Sequence, residues 1–309
     1  MSFDRTQWVW HNGEIVPWSG AGVHLSANIV QYGSGVFEGI RCYETDKGPA
    51  IFRLEEHVDR LYSSAAKYDI AIPLPASSLK DGVCEAIRRN GFTSCYIRPV
   101  CYYGSGRPGI CAERCPVNIS ILVWPWDPFL GDQGQKYGVR VSLSKWVKFH
   151  SSMLPTTAKA CGGYLNSMLA ARDARRRGYD EALLLNAEGN LAEGPTENIF
   201  IVHEDRLITN DESSSILLGI TRDSVIRIAH DLGYAVEIHQ LRLGDLAAAS
   251  EAFLTGTAAE ITPIREFEGR PIGMACPGPV TLKIQRAFLA ATSGRLPQYH
   301  SWLHFVGSG

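Results

Sequence analysis

The chain has 309 residues, 45% of them hydrophobic and 20% charged, and a formal net charge of −2, the composition of a soluble globular protein with room for two domains of middling size. Without a basic excess, sequence-independent nucleic-acid binding is excluded, and a small ligand, anionic or neutral, is the natural partner. No apolar run approaches the roughly 20 residues a membrane-spanning helix needs, and the start, MSFDRTQWVWHNGEIVPW, lacks the basic head and apolar core of a signal peptide, so a cytoplasmic location is expected.

In chain order, apolar strands are predicted at 50–53 and 94–98 and helices at 54–68 and 79–90, a compact α/β or α+β unit. The prolines and glycines of WPWDPFLGDQG, residues 124–134, leave no room for regular structure and mark a domain boundary. This gives a small α/β domain at 1–130, a linker at 131–137 and a large domain at 138–309. The large domain carries predicted strands at 140–143, 181–185, 198–203, 235–240 and 252–255, with helices at 164–177, 221–231 and 279–291. The first of these helices gathers Tyr164, Leu165, Met168 and Leu169 on one face and ends in three arginines, where cations suit a helix C-terminus.

The 8 cysteines have no paired short spacings of the zinc or disulfide kind, so most are expected to be buried free thiols. Cys111 and Cys115 are the one close pair, and no second pair or nearby histidine completes a metal set; no metal is expected. GSGRPG at 104–109 satisfies the G-x-G-x-x-G pattern of nicotinamide dinucleotide sites. Its context does not: Pro108 and a second apolar strand follow, where the fingerprint needs a helix, and a hairpin loop is expected.

Lys159, in PTTAKACGG, stands among small uncharged residues, with no acidic residue between 147 and 172. A lysine that attacks carbonyls must shed its proton near neutral pH, and desolvation among neutral neighbours favours that. The plain alternative is a stem packed on a loop with its ammonium in water. Three further elements weigh against it. Glu193 lies just before a Gly-Pro turn and an apolar strand. Gly219, Ile220 and Thr221 open a predicted helix whose free N–H groups, with Thr221 as cap, suit a phosphate. Gly256, Thr257 and Ala258 form a small-residue turn after a strand, where hydroxyl and amides can hold another anion. A lysine imine, an acid beside a pyridine nitrogen, a phosphate cradle and a carboxylate pocket are together the needs of pyridoxal 5′-phosphate chemistry.

In its ordered motifs YGSGVFEGIR at 32–41, YIR at 96–98, AKA at 158–160, EGPTEN at 193–198, GITR at 219–222 and GTAAEITP at 256–263, the chain resembles the class IV pyridoxal-phosphate aminotransferases, and among them the bacterial branched-chain amino acid aminotransferases. The resemblance runs over nearly the whole chain. It implies a two-domain α/β (α+β mixed) fold of the D-amino acid aminotransferase-like kind with the cofactor at the domain interface. It makes Lys159 the Schiff-base lysine, sets Glu193 against the pyridine nitrogen and Tyr164 against the ring hydroxyl, and gives the phosphate to Arg60, Gly219, Ile220, Thr221, Gly256 and Thr257. It places Tyr32, Phe37, Gly39, Tyr96, Arg98 and Phe129 around the substrate, with the α-carboxylate on Thr257 and Ala258. An arginine fork among apolar walls can take either an aliphatic side chain or the γ-carboxylate of glutamate.

The implied reaction is ping-pong transfer of the amino group of L-leucine, L-isoleucine or L-valine to 2-oxoglutarate, by at least a homodimer in which the 104–109 loop reaches the partner's site. D-Amino acid or (R)-amine transaminases and aminodeoxychorismate lyase are the alternatives on the same fold. Two positions depart from the family pattern: Phe129 stands where tyrosine is frequent, and Gly163 where asparagine is. Both bear on substrate preference rather than on the lysine chemistry.

Overall fold

The computed structural model describes residues 3–112, 114–126 and 130–307. The chain divides into two compact units, and the division does not follow sequence order. The first takes the chain up to residue 126 and also residues 158–162 and the segment from 291; the second takes 130–157 and 163–290. Lys159 therefore belongs to the first unit, although it lies beyond the boundary drawn near residue 130.

The first unit opens with a hairpin, β1 (Trp8–His11) and β2 (Glu14–Pro17), paired from Trp8↔Pro17 to His11↔Glu14. Its two-residue turn, Asn12-Gly13, has φ values of 50° and 99°, the doubly left-handed turn whose twist matches two strands. The strand alternation here is too short to stand out in the sequence. Next come α1 (Asn28–Tyr32), β3 (Gly35–Phe37), β4 (Ile40–Tyr43), β5 (Ala50–Phe52), α2 (Leu54–Ala66), α3 (Ala76–Asn90), β6 (Cys95–Tyr103) and β7 (Val117–Trp124). With the C-terminal strand Leu303–Phe305 they form a sheet ordered C-terminal strand, β5, β4, β6, β7, β1, β2, with β3 on β6. Residues 104–109 lie in the connection between antiparallel β6 and β7, as a hairpin reading requires.

One face of this sheet is covered by α2 and α3, whose apolar stripes (Leu54, Val58 and Leu61; Leu79, Val83 and Ile87) enter one core with Ile40, Ile51, Ile97 and Ile121. Ala160 joins the same core, and Val36 of β3 forms an antiparallel bridge with it. That bridge lays the Lys159 segment against the sheet.

In the second unit, α4 (Gly131–Tyr137) occupies the stretch read as an irregular linker. Asp132 in its first turn and Lys136 in its last each suit the helix dipole, which favours helix here despite two glycines. There follow β8 (Val139–Leu143), α5 (Tyr164–Arg176), β9 (Glu181–Leu183), β10 (Asn198–His203), β11 (Arg206–Thr209), α6 (Ile220–Asp231), β12 (Val236–Ile238), α7 (Leu243–Ala248), β13 (Glu251–Gly256), β14 (Glu260–Phe267), β15 (Arg270–Pro271) and α8 (Pro279–Thr292). The sheet runs β12, β11, β10, β13, β14, β8, β9, with β15 on β14. Its core gathers Val141, Leu183, Ile199, Ile201, Leu254 and Ile264.

The face of α5 is a correction. Leu165 and Met168 are exposed, and the buried stripe is Ser167, Ala170 and Ala174. Small residues let this helix lie close on its neighbours, so hydrophobicity alone picks the wrong face.

Candidate active site

In the first unit the site is built on β3, β6 and the Lys159 segment. The Lys159 carbonyl accepts the Phe37 N–H at 3.0 Å, and its own N–H donates to Ser64 Oγ at 3.0 Å. With the backbone fixed on both sides, the amine Nζ comes to rest 5.0 Å from the centre of the Phe37 ring. The Arg98 guanidinium carbon lies 4.6 Å from the same ring. Phe37 thus sits against both cations, in the weakly attractive geometry of cation–π contact.

Arg98 Nη2 donates to the Tyr96 hydroxyl at 3.3 Å, while its Nε is buried with no hydrogen-bond partner among the described residues. A buried guanidinium N–H without an acceptor is a ready place for a carboxylate oxygen. Tyr96 in turn stacks on Trp126, ring centres 4.5 Å apart, and lies against Trp124. Gly39 is required here by space, since a Cβ on it would come 1.9 Å from the Tyr96 hydroxyl. Lys159, Phe37, Gly39, Tyr96 and Arg98 are therefore brought together.

Arg60 is not a solvated helix arginine. Its Nε and Nη2 donate to the two oxygens of Glu38, which is fully buried between β3 and β4. His57 Nδ1 meets the same carboxylate at 2.7 Å, and the Gly39 N–H adds a weaker contact at 3.2 Å. Burial pushes Glu38 up, but the charge of Arg60 and its contact with His57 outweigh it and hold the carboxyl well below the usual range. Burial pushes His57 down, against the pull of Glu38 and helped by the charges of Arg60 and Lys159. A neutral imidazole donating from Nδ1 to a carboxylate is the arrangement that results.

In the second unit Glu193 is buried, with partners on both carboxylate oxygens. Its Oε1 lies 2.6 Å from Lys148 Nζ, and its Oε2 accepts from Asn198 Nδ2 and from the Leu217 N–H, each at 3.1 Å. Asn198 also accepts the Gly219 N–H on Oδ1 at 3.1 Å and donates to the Leu217 carbonyl at 2.8 Å. One amide therefore ties the acid to the start of α6. The N-cap of that helix is Gly219, not Thr221, and no side chain caps it. Thr221 lies buried within the first turn, so the cap position is filled by the residue that leaves the helix N–H groups clear of a side-chain acceptor. A Cβ on Gly219 would stand 2.2 Å from Asn198 Oδ1.

Gly256 closes β13 over Glu197, and Thr257 and Ala258 sit half-buried in the turn to β14. Beneath them Glu197 and Glu181 are both buried. Burial and the charge of Glu197 push Glu181 up to about 8. Tyr164 opens α5, half-buried. Tyr32, the last residue of α1, is 52% exposed. Phe129 lies outside the described residues.

Glu38, His57, Lys148, Asn198 and the tryptophans 124 and 126 escape a reading of the sequence. Glu38 sits inside the VFEGIR motif and Asn198 inside EGPTEN, but a carboxylate or amide whose role is to hold another side chain carries no spacing of its own. The WPW run reads as a boundary because its prolines draw more weight than its rings.

Comparison with known proteins identifies the family. The model of the family described as amino-transferase class IV matches residues 35–267. The branched-chain-amino-acid aminotransferase of Pseudomonas aeruginosa is 40% identical over 303 residues, 98% of each chain. Among solved structures, the branched-chain aminotransferase from Thermoproteus uzoniensis with norvaline superposes with a TM-score of 0.93 at 41% identity, over 97% of this chain and 99% of that one. The branched-chain amino acid aminotransferase from Thermobaculum terrenum, in its PLP-bound holo form, gives 0.92 at 33% identity, over 98% of this chain and 99% of that one. The chain belongs to the class IV aminotransferases, and within them to the branched-chain-amino-acid aminotransferases.

Proposed function

We propose that this chain is a pyridoxal 5′-phosphate-dependent transaminase that moves the amino group of L-leucine, L-isoleucine or L-valine to 2-oxoglutarate, giving the 2-oxo acid and L-glutamate. The full-length likeness to branched-chain enzymes favours this reading over a D-amino acid or (R)-amine transaminase. The observation that carries it is the shared Phe37 ring, which sets the Lys159 amine beside an arginine able to take a second carboxylate. The residues suit the cofactor: a buried carboxylate for a ring nitrogen, a helix start with no side-chain cap for a phosphate, and an amine against an aromatic face.

When bound, pyridoxal phosphate supplies the carbonyl that takes up the amino group and the ring that draws electrons from the substrate α-carbon. Lys159 Nζ would hold the cofactor and would carry the proton to and from that carbon. Glu193 would accept from the ring nitrogen, Tyr164 would meet the ring hydroxyl, and Arg60, Gly219, Ile220, Thr221, Gly256 and Thr257 would hold the phosphate. Tyr32, Phe37, Gly39, Tyr96 and Arg98 would bound the substrate, and Thr257 and Ala258 would take its α-carboxylate. Arg98 receives the γ-carboxylate of glutamate, and the aromatic walls accept an aliphatic chain.

Two finer points belong to the same proposal. The enzyme works as a homodimer: Val23, Leu25, Val30, Tyr32 and Ile110 of the first unit are apolar or aromatic and exposed, more surface than a solitary chain commonly leaves in water. It works in the cytoplasm, where its free cysteines remain reduced. Among the described residues no helix is long and apolar enough to cross a membrane.

The test is the visible spectrum of the purified protein. A cofactor band that changes on adding L-leucine and returns with 2-oxoglutarate, and is absent from Lys159→Ala, supports the proposal. A band that answers only to D-amino acids or (R)-amines overturns the substrate assignment. Parallel double-reciprocal plots support ping-pong order, and sedimentation of the active enzyme as a monomer overturns the dimer.

A further inference from the structure

Lys148 lies in the second unit between β8 and α5, with its N–H on the Leu185 carbonyl at 2.8 Å. Its side chain is 9% exposed, and its ammonium points inward, to Glu193 Oε1 at 2.6 Å and over the Phe149 ring at 4.8 Å. A lysine seldom gives up water in this way without a buried partner to meet. A carboxylate oxygen accepts two hydrogen bonds. Glu193 Oε2 already accepts two N–H groups, from Asn198 and Leu217, whereas among the described residues Oε1 takes only that of Lys148. The oxygen with a place left is the one the lysine holds.

We propose that Lys148 is a positioning residue for the cofactor, fixing Glu193 so that Oε1 serves the ammonium and the ring N–H together. This rests on the reading that Glu193 faces the ring nitrogen. In the apoprotein Lys148 supplies the counter-charge that lets the carboxylate be buried and aimed before the cofactor arrives, so binding needs no rearrangement of the acid. Removing the lysine alone strands a buried carboxylate. Removing the acid alone strands a buried ammonium pointing where a ring nitrogen must sit. Removing both strands neither.

The experiment titrates pyridoxal phosphate into the apo forms of wild type, Lys148→Met, Lys148→Arg, Glu193→Gln and the Lys148→Met/Glu193→Gln double variant, reading Kd from the absorbance of bound cofactor. Lys148→Met is expected to weaken Kd by about tenfold or more, and Lys148→Arg to recover most of that loss. The sign of the double variant is the decisive readout: it should bind severalfold more tightly than Glu193→Gln alone. A lysine that merely held the loop would give additive losses, and additive losses overturn the inference, as does a Lys148→Met that binds like wild type. If Lys148→Met does not fold, the comparison of the double variant with Glu193→Gln decides alone, because neither charge remains in the double. A Glu193→Gln variant that binds like wild type overturns instead the reading of Glu193, and the inference with it.

Discussion

Arg60 sets its Nε and Nη2 against the two oxygens of Glu38, 2.7 and 2.9 Å away, so the arginine offered by the sequence as a cation is aimed by a carboxylate 22 residues earlier. The pair is buried, and in such a pair the loss of one partner costs far more than the pair is worth as a whole.

Glu38→Ala should therefore destabilise the protein by about 3–5 kcal/mol and weaken pyridoxal phosphate binding as well, measured by denaturant unfolding and cofactor titration. The pH dependence has a definite sign. With its folded value held below the ordinary 4.5, Glu38 contributes stability that is present above that value and lost as pH falls through the lowered one. Wild type should lose Tm more steeply than Glu38→Gln on acidification below pH 4.5. Parallel Tm profiles would refute the assignment.

Gly39 can be tested by crowding. Its Cβ would meet the Tyr96 hydroxyl at 1.9 Å and the ring carbon beneath it at 2.9 Å. Gly39→Ala should cost about 1–3 kcal/mol and raise KM by displacing Tyr96. Adding Tyr96→Phe, which removes the nearer atom, should return part of the stability. A stable Gly39→Ala enzyme with unchanged KM would mean that the tyrosine moves aside freely.

Glu181 has the opposite sign to Glu38. Its folded value near 8 lies above the ordinary 4.5, so between these values the folded protein keeps a proton that the unfolded chain has lost, and stability falls as pH rises. Glu181→Gln removes the penalty. Its Tm should exceed wild type by about 5 °C at pH 8 and by much less at pH 5, read by scanning calorimetry. An equal gain at both pH values would place the effect in packing rather than ionisation.

Arg98→Met should separate the two half-reactions. The arginine's buried Nε has no partner among the described residues and could meet the second carboxylate of a dicarboxylate, whereas leucine has no charge to place there. KM for 2-oxoglutarate should rise about 10–100-fold and KM for leucine by much less, as measured by steady-state kinetics. Equal losses for both would assign Arg98 to the walls and not to the γ-carboxylate.

What can be read without a structure is the chemistry that proteins must place in the open. Lys159 is legible because it is alone among neutral residues, and the α6 start because glycine precedes an amphipathic helix. The supports are not. Glu38 and Asn198 lie inside recognisable motifs, yet their partners, Arg60 and Gly219, stand 22 and 21 residues away, and only the folded chain supplies the pairing. The stretch read as a linker forms α4, with Asp132 and Lys136 at the ends that suit the helix dipole. The apolar face of α5 misleads because close packing there selects alanine and serine over leucine.

The bracket formed by Asn198 has a further consequence, for how freely this position can be varied. Its oxygen receives the Gly219 N–H while its nitrogen gives to Glu193 and Leu217. Aspartate supplies the acceptor and none of the donors, serine is too short to span both, and glutamine carries the same groups one methylene too far. A full replacement scan should leave this position a vocabulary of one, even though Asn198 itself never needs to touch the substrate.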